Sequence, residues 1–378
     1  MCWSIPTSSR VRFILNMMKM KRIFHILLVT VPLLAGCKDH PSLDLDSVMD
    51  DSCPIEFGID DELTVDSKVA IDNSNYQKSG FVVLGAWKLG SETDHSIFGG
   101  NGTEVRYAEG WNYSPMCYWK EGLYDFAAVM PSSLLKATHK HTSTTAAEGT
   151  ATISMDATTH KSLTLDFGEG GYDLSAGQHD IMVAYSSADN SDRKMGTVVD
   201  GRLKQVSLDF KHQLSQVNIA ALNVDSAVDI IVGKVEIYGP HKSTSGPMTF
   251  TCNKGSITHG WSYSEVDEGV PYKEFHLTAE QGTLPNSMQD ATINYKPLVS
   301  EVLVFPEQCI MTVRIEYITR MFDVSSDSIF GSVEIPVAWE PGMNYTYKLR
   351  ISSTSITFSS NIMPWDDQTF NDIEHEFN

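Results

Sequence analysis

The chain is short of basic residues, short of cysteine, and without a long apolar run or a long amphipathic helical pattern. Lys and Arg number 28 against 48 Asp and Glu, a formal net charge of −20. Nucleic-acid binders neutralise phosphates with clustered Lys and Arg, so this balance excludes a nucleic-acid partner. Six cysteines are scattered over 378 residues, at 2, 37, 53, 117, 252 and 309, with no Cys-x-x-Cys. That spacing rules out ordinary zinc sites and thioredoxin-type chemistry. Catalytic signatures are missing too: there is no Gly-x-Ser-x-Gly elbow and no His-Glu-x-x-His, and Lys242-Ser243 sits between glycines without Walker spacing. No residue is assigned to catalysis, a cofactor or a metal. His139, His141 and His160 lie in or beside a Thr-rich tract and read as surface residues.

The deficit of basic residues is uneven. Residues 1–36 hold Arg10, Arg12, Lys19, Lys21 and Arg22 and no acid, which leaves 23 bases facing 48 acids in the remainder, a net charge of −25. After the basic Lys19-Met20-Lys21-Arg22 comes a twelve-residue apolar stretch, 23–34, too short to span a bilayer as a helix. It ends in Leu34-Ala35-Gly36-Cys37. Small residues before a Cys, after a basic and then an apolar region, form the lipobox of a bacterial lipoprotein. The expectation is cleavage between Gly36 and Cys37 and acylation of the Cys37 thiol. Two or three acyl chains suffice for stable anchoring. The acidic residues 37–55 then read as a lipidated tether.

Beyond residue 55 short segments of alternating apolar and polar residues recur, divided by Gly, Pro, Asn, Asp and Ser. Examples are 81–84, 122–130, 180–185, 234–238, 302–305, 311–317, 332–337, 344–351 and 355–358. Regular short strands with turn signals predict an all-β protein of antiparallel β-sandwiches. Met311, Val313, Ile315 and Tyr317 face one way, and Tyr345, Tyr347, Leu349 and Ile351 repeat the pattern. In 204–221, Val206, Leu208, Phe210 and Leu214 share one phase while Val217 and Ile219 take the other, which predicts a bulge near Ser215-Gln216. The polar stretch 186–202 suggests a division into domains 56–190 and 200–378. Residues 136–162 read as a loop or hairpin excursion. Cys53, Cys117, Cys252 and Cys309 are expected as free thiols rather than disulfides, with Cys117 and Cys309 inside strand-like runs. Trp111, Tyr113, Tyr118, Trp119 and Tyr124 form an aromatic cluster, read as core anchors ahead of a sugar-stacking platform.

Several stretches, taken in order, carry a resemblance. They are Trp111-Asn112-Tyr113, Tyr118-Trp119, 122–126 with Met130-Pro131, 180–184, 206–217, 304–308, 339–347 and Pro364-Trp365. Together with the lipobox they resemble the fimbrillin family, lipoprotein-derived pilus subunits of anaerobic Gram-negative bacteria. The resemblance implies two transthyretin-like sandwiches with Greek-key connections, outer-membrane delivery and fimbrial location. It also implies other fimbrial subunits as partners through donor strands, and adhesion to a host or bacterial surface ligand. Maturation in the family follows an Arg downstream of the lipidated Cys, but no Arg lies between Cys37 and Arg106. Cutting at Arg106 would remove a core strand, so Lys68 is the candidate site, and a retained lipid would suit an anchor or accessory subunit. Asp46-Ser47-Val48, Asp225-Ser226-Ala227 and Asp327-Ser328-Ile329 match an O-glycosylation pattern of such bacteria, at Ser47, Ser226 and Ser328. The alternative is a lipid-anchored glycan- or ligand-binding sandwich that does not polymerise.

Overall fold

The computed structural model describes residues 53–59 and 76–364, apart from positions 92–93, 100, 136–137, 140–148, 151, 157–158, 169–170, 176, 193–197, 200–201, 204, 254–255 and 288–293. Residues 49–378 form one compact unit. In chain order its first principal strands are β1 (Phe57–Ile59), β2 (Phe81–Lys88), β3 (Thr103–Tyr107), β4 (Leu123–Met130), β5 (Thr152–Met155), β6 (Ser162–Asp166), β7 (Met182–Asp189) and β8 (Val206–Leu208). Then follow β9 (Ser215–Asn223), β10 (Asp229–Tyr238), β11 (Met248–Asn253), β12 (Ser256–Gly260) and β13 (Lys273–His276). The last are β14 (Lys296–Val304), β15 (Gln308–Met321), β16 (Ile329–Ala338), β17 (Met343–Ile351) and β18 (Ile356–Pro364). The α-helices among the described residues are single turns of four residues. None is long and apolar enough to cross a membrane.

The first sandwich is built on a sheet with β7, β4, β2 and β3 side by side. Its strands feed two cores by simple alternation. Phe81, Val83, Phe126, Ala128, Met182 and Ala184 enter one core, while Val82, Leu84, Ala127, Val129 and Val183 enter the other. A sheet buried on both faces reads as a continuous apolar run, which is why 81–86 and 126–130 look unbroken in sequence. One face is covered by the sheet β12-β11-β6-β5. The other is covered by a two-stranded parallel ribbon, β1 with β8, and by the loop carrying Tyr113 and Trp119.

The second sandwich packs the sheet β14-β9-β17-β18 on the sheet β13-β10-β15-β16. Met311, Val313, Ile315 and Tyr317 are buried together with Tyr345, Tyr347, Leu349 and Ile351, as the alternation requires. Gly342 takes φ 70 after Pro341, the backbone that a type II turn demands at its second central residue.

Two expectations are corrected. The segment 204–221 is not one bulged strand. It pairs as β8 with β1, as Lys211-His212 with Met182-Val183, and as β9 with β14 and β17. Leu208 and Phe210 enter one core, Leu214 the second and Val217 the third, so the phase change marks a chain changing sheets. The register irregularity lies later, around Ile219 opposite β14, where Glu301 takes φ 60 and donates its backbone N–H to Asn218. The expected all-β class of antiparallel sandwiches holds, with two parallel pairings, β1–β8 and β9–β17, inside it. Finally, Cys117 is not in a strand; it lies in the loop between Trp111–Asn112 and β4.

The strands β11 and β12 follow residue 200, yet they complete the sheet of β5 and β6. A division at 190–200 therefore separates hydrogen-bonded partners, Leu163 with Phe250 among them.

Candidate functional site

The site most unlike an ordinary sandwich is the groove that holds residues 53–59. The alternation Ile55-Glu56-Phe57 sends Ile55 and Phe57 inward, to 0% and 1% exposure. Phe57 meets Phe81 at 6.1 Å and 88° and Phe126 at 5.7 Å and 86°, edge-to-face arrangements that suit ring quadrupoles. Tyr113 closes the groove at 5.7 Å from Phe57 and donates its hydroxyl to the Ile55 carbonyl at 2.8 Å. Burial pushes the Tyr113 hydroxyl up to about 12, so it stays a donor.

The backbone of this segment is held on both sides. Ile55 N–H donates to the Cys117 carbonyl at 2.9 Å, and Trp119 N–H to the Cys53 carbonyl at 3.0 Å. On the other side, Val206 N–H donates to the Glu56 carbonyl at 2.7 Å, in the register Phe57 with Val206 and Ile59 with Leu208. Burial of Ile55 and Phe57 contributes roughly 1.5–3 kcal/mol each. Packing therefore begins no later than Cys53.

Close to the groove, where the chain leaves β8, Asp180 accepts from His212 Nδ1 at 2.8 Å, both side chains being buried. His212 is thus a structural histidine with a carboxylate partner. Ser215 hydroxyl donates to the Glu340 carbonyl at 2.8 Å.

The aromatic cluster divides. Tyr113, Trp119 and Tyr124 are core residues, and Tyr118 is 45% exposed. Tyr118 edges an open cleft of about 530 Å³ whose lining includes Trp87, His95, Ile97, Lys120 and Tyr124. His95 stacks on Trp87 at 5.3 Å and 30°, and Lys120 Nζ lies 5.3 Å from the Trp87 ring centre. His160 is buried between Asp94 and Asp125, at 3.5 and 3.4 Å, so it is not a surface residue. The side chains of His139 and His141 lie outside the described residues.

Cys53, Cys117, Cys252 and Cys309 are free thiols. Burial pushes the Cys252 thiol up to about 11 and Cys309 up to about 12, which leaves both unionised and inert. Ser226 and Ser328 are exposed. The Asp225 carboxylate accepts from Ser353 Oγ and from the Ala227 and Ser353 backbone N–H groups, while Ser328 Oγ donates to Glu316 at 2.8 Å. Gly36, Cys37, Ser47 and Lys68 lie outside the described residues. The sequence reading missed Ile55 and Phe57 as groove occupants; their alternation was the available signal.

A family model described as fimbrillin-like matches residues 84–365. The chain belongs to the fimbrillin-like family. No curated protein matches it. Among solved structures, it is similar to a fimbrial protein from Bacteroides vulgatus at 15% identity and a TM-score of 0.50, covering 82% of this chain and 99% of that one. It is also similar to a candidate cell adhesion protein from Bacteroides uniformis, at 13% identity and TM-score 0.41, covering 83% of this chain and 97% of that one. A fimbrial assembly protein from Parabacteroides distasonis is similar at 9% identity and TM-score 0.36, covering 82% and 98% respectively. At these identities the first likeness supports the fimbrillin-like fold of packed antiparallel sheets.

Proposed function

We propose that this fimbrillin-like chain is a structural and adhesive fimbrial subunit, not an enzyme, exported as an outer-membrane lipoprotein and assembled by strand exchange with other fimbrial subunits. The observation that carries the reading is the groove occupied by residues 53–59. A sheet face closed by a short strand from the chain's own N-terminal side is a site that a neighbour's strand can take over, by the main-chain pairing and alternate side-chain pockets of β-augmentation. Until then the resident strand hides an apolar face that would otherwise aggregate.

Lys68 falls, in sequence, between Ile59 and Tyr76, so a cut there would part the resident strand and the lipid on Cys37 from the body. An uncut chain keeps both and serves as an anchor or accessory subunit on the cell surface. The absence of Arg between Cys37 and Arg106 favours this uncut form. Ser47, Ser226 and Ser328 remain candidate O-glycosylation sites, the latter two supported by exposure. Domains 56–190 and 200–378 are kept as the proposed division, with β11 and β12 returned to the first.

The test is cleavage between residues 59 and 76 followed by electrophoresis. The reading expects SDS-resistant ladders after cutting and none before. A cut chain that stays monomeric, and whose Trp fluorescence responds to a sugar, would overturn it in favour of a ligand-binding surface lipoprotein. N-terminal sequencing of surface-purified protein separates the two maturation forms: a start well past Cys37 rejects the anchor role.

A further inference from the structure

The hairpin that ends β15 has an apolar tip. Arg320 and Met321 pair with Ser325 and Val324, which leaves Phe322-Asp323 as a two-residue turn. Phe322 is 91% exposed, Val324 74% and Met321 52%. Phe322 also takes φ 53, a left-handed backbone that a bulky side chain enters against steric resistance and that Gly or Asn ordinarily fills in such turns. Strained residues gather where a structure is put to use, and contiguous exposed apolar side chains mark contacts. Among the described residues, none of the hydrophobic core clusters includes these three side chains.

The first sandwich carries a matching concavity, the open cleft walled by Trp87, Ile97, Tyr118 and Tyr124 with Lys120 beside it. It has room for a phenyl ring with flanking aliphatic groups. Its cation suits the carboxylate of Asp323, which sits next to Phe322 in the turn. Two copies of a chain with net charge −20 repel one another, so a contact between them needs buried apolar area and a local cation on one side. The tip and the cleft supply both.

We propose that the Met321–Val324 tip of one copy docks in the aromatic cleft of a second copy, with Phe322 inserted and Asp323 facing Lys120. The tip and the cleft are different surfaces on different sandwiches. The contact is therefore heterologous and, unless it closes as a ring, builds an open row of subunits. The inference rests on the reading of the chain as an assembling subunit and adds a second contact, independent of strand exchange.

The test uses the chain freed of its leader and carrying Cys37→Ala, with residues 53–59 in place, so that neither lipid nor strand donation contributes. Sedimentation velocity over a concentration series is expected to show SDS-sensitive self-association. Phe322→Ala is expected to weaken it by roughly tenfold or more, as for a buried aromatic anchor. Asp323→Lys and Lys120→Asp should each weaken it, and their combination should restore it. Phe322, Asp323 and Lys120 are all exposed, and Phe322→Ala and Asp323→Lys should leave the melting temperature within a few degrees of the parent. A parent chain that stays monomeric, or a Phe322→Ala chain that associates equally well, overturns the proposal. So does Phe322-dependent flotation of monomeric protein with phosphatidylcholine vesicles, which would assign the tip to a membrane. Loss of SDS-resistant ladders after cutting at 60–75 would instead sink strand exchange and leave this contact standing.

Discussion

Phe57 touches Phe81, Phe98, Tyr113 and Phe126 at once, so the grip on the resident strand is concentrated in one side chain. Phe57→Ala is expected to destabilise the first sandwich by about 3–5 kcal/mol, the range for emptying a buried aromatic site. Urea unfolding with the parent's slope and a lower midpoint is the expected record; an unchanged midpoint would mean that the strand is held elsewhere. A second residue sets a pH limit. Burial beside Trp261 lowers the pKa of His259 below its ordinary 6.5, so the folded protein prefers the neutral ring. The unfolded chain then binds more protons, and the stability His259 contributes is present above 6.5 and lost as pH falls through the folded value. Melting temperature should decline below pH 6.5, and His259→Gln should flatten that part of the curve. Residues such as Tyr113, Trp119 and Tyr124 could be placed in the core from sequence, because large aromatics have few other uses. The role of Phe57 could not, since its partners reach as far along the chain as Val206 and its own segment looks like the end of an acidic tether.

Strands whose side chains alternate over six or more residues, such as β15 and β17, can be read directly from their period. The edges of others could not be read, because pairing rather than propensity sets where they stop. The segment 204–221 is the instructive case: its phase break was visible, but a bulge and a change of sheet leave the same mark in sequence. The hairpin β11–β12 was invisible as part of the first sandwich, since nothing local tells a strand which of two sheets it will join. Turn chemistry was the more legible signal. Gly342, at φ 70 behind Pro341, joins β16 to β17 and donates its N–H to the Leu214 carbonyl at 2.9 Å. Gly342→Ala should cost more than about 1 kcal/mol, because a Cβ resists this backbone. Thermal unfolding against an Ala substitution at exposed Glu340 gives the comparison; equal melting temperatures would remove the turn from the account.

At the scale of the whole molecule the two sandwiches are stitched by more than one chain crossing. Gln178 donates to the Leu174 and Leu303 carbonyls and accepts from the Leu303 N–H at 2.6 Å, acting as a strand end made from a side chain. With β11 and β12 returned to the first sandwich, a protease site inserted at 193–197 should yield a nicked protein that migrates as one species under native conditions and parts only in denaturant. Fragments that separate without denaturant would show that the crossing strands hold little. The acidity of the chain could be read from composition alone, and the all-β class from periodicity, whereas the interlocking could not, because it depends on contacts between residues far apart in sequence. The parallel pairing of β1 with β8 has a mechanical meaning as well. Consider the subunit tethered through the chain before β1 and pulled through the chain after β8. The two strands point the same way, so tension enters one at its start and the other at its end and slides them past each other. Every hydrogen bond of the ribbon is then loaded at once, and the bonds share the force where an antiparallel hairpin would open one bond at a time. A short strand can in this way withstand far more pull than its length suggests.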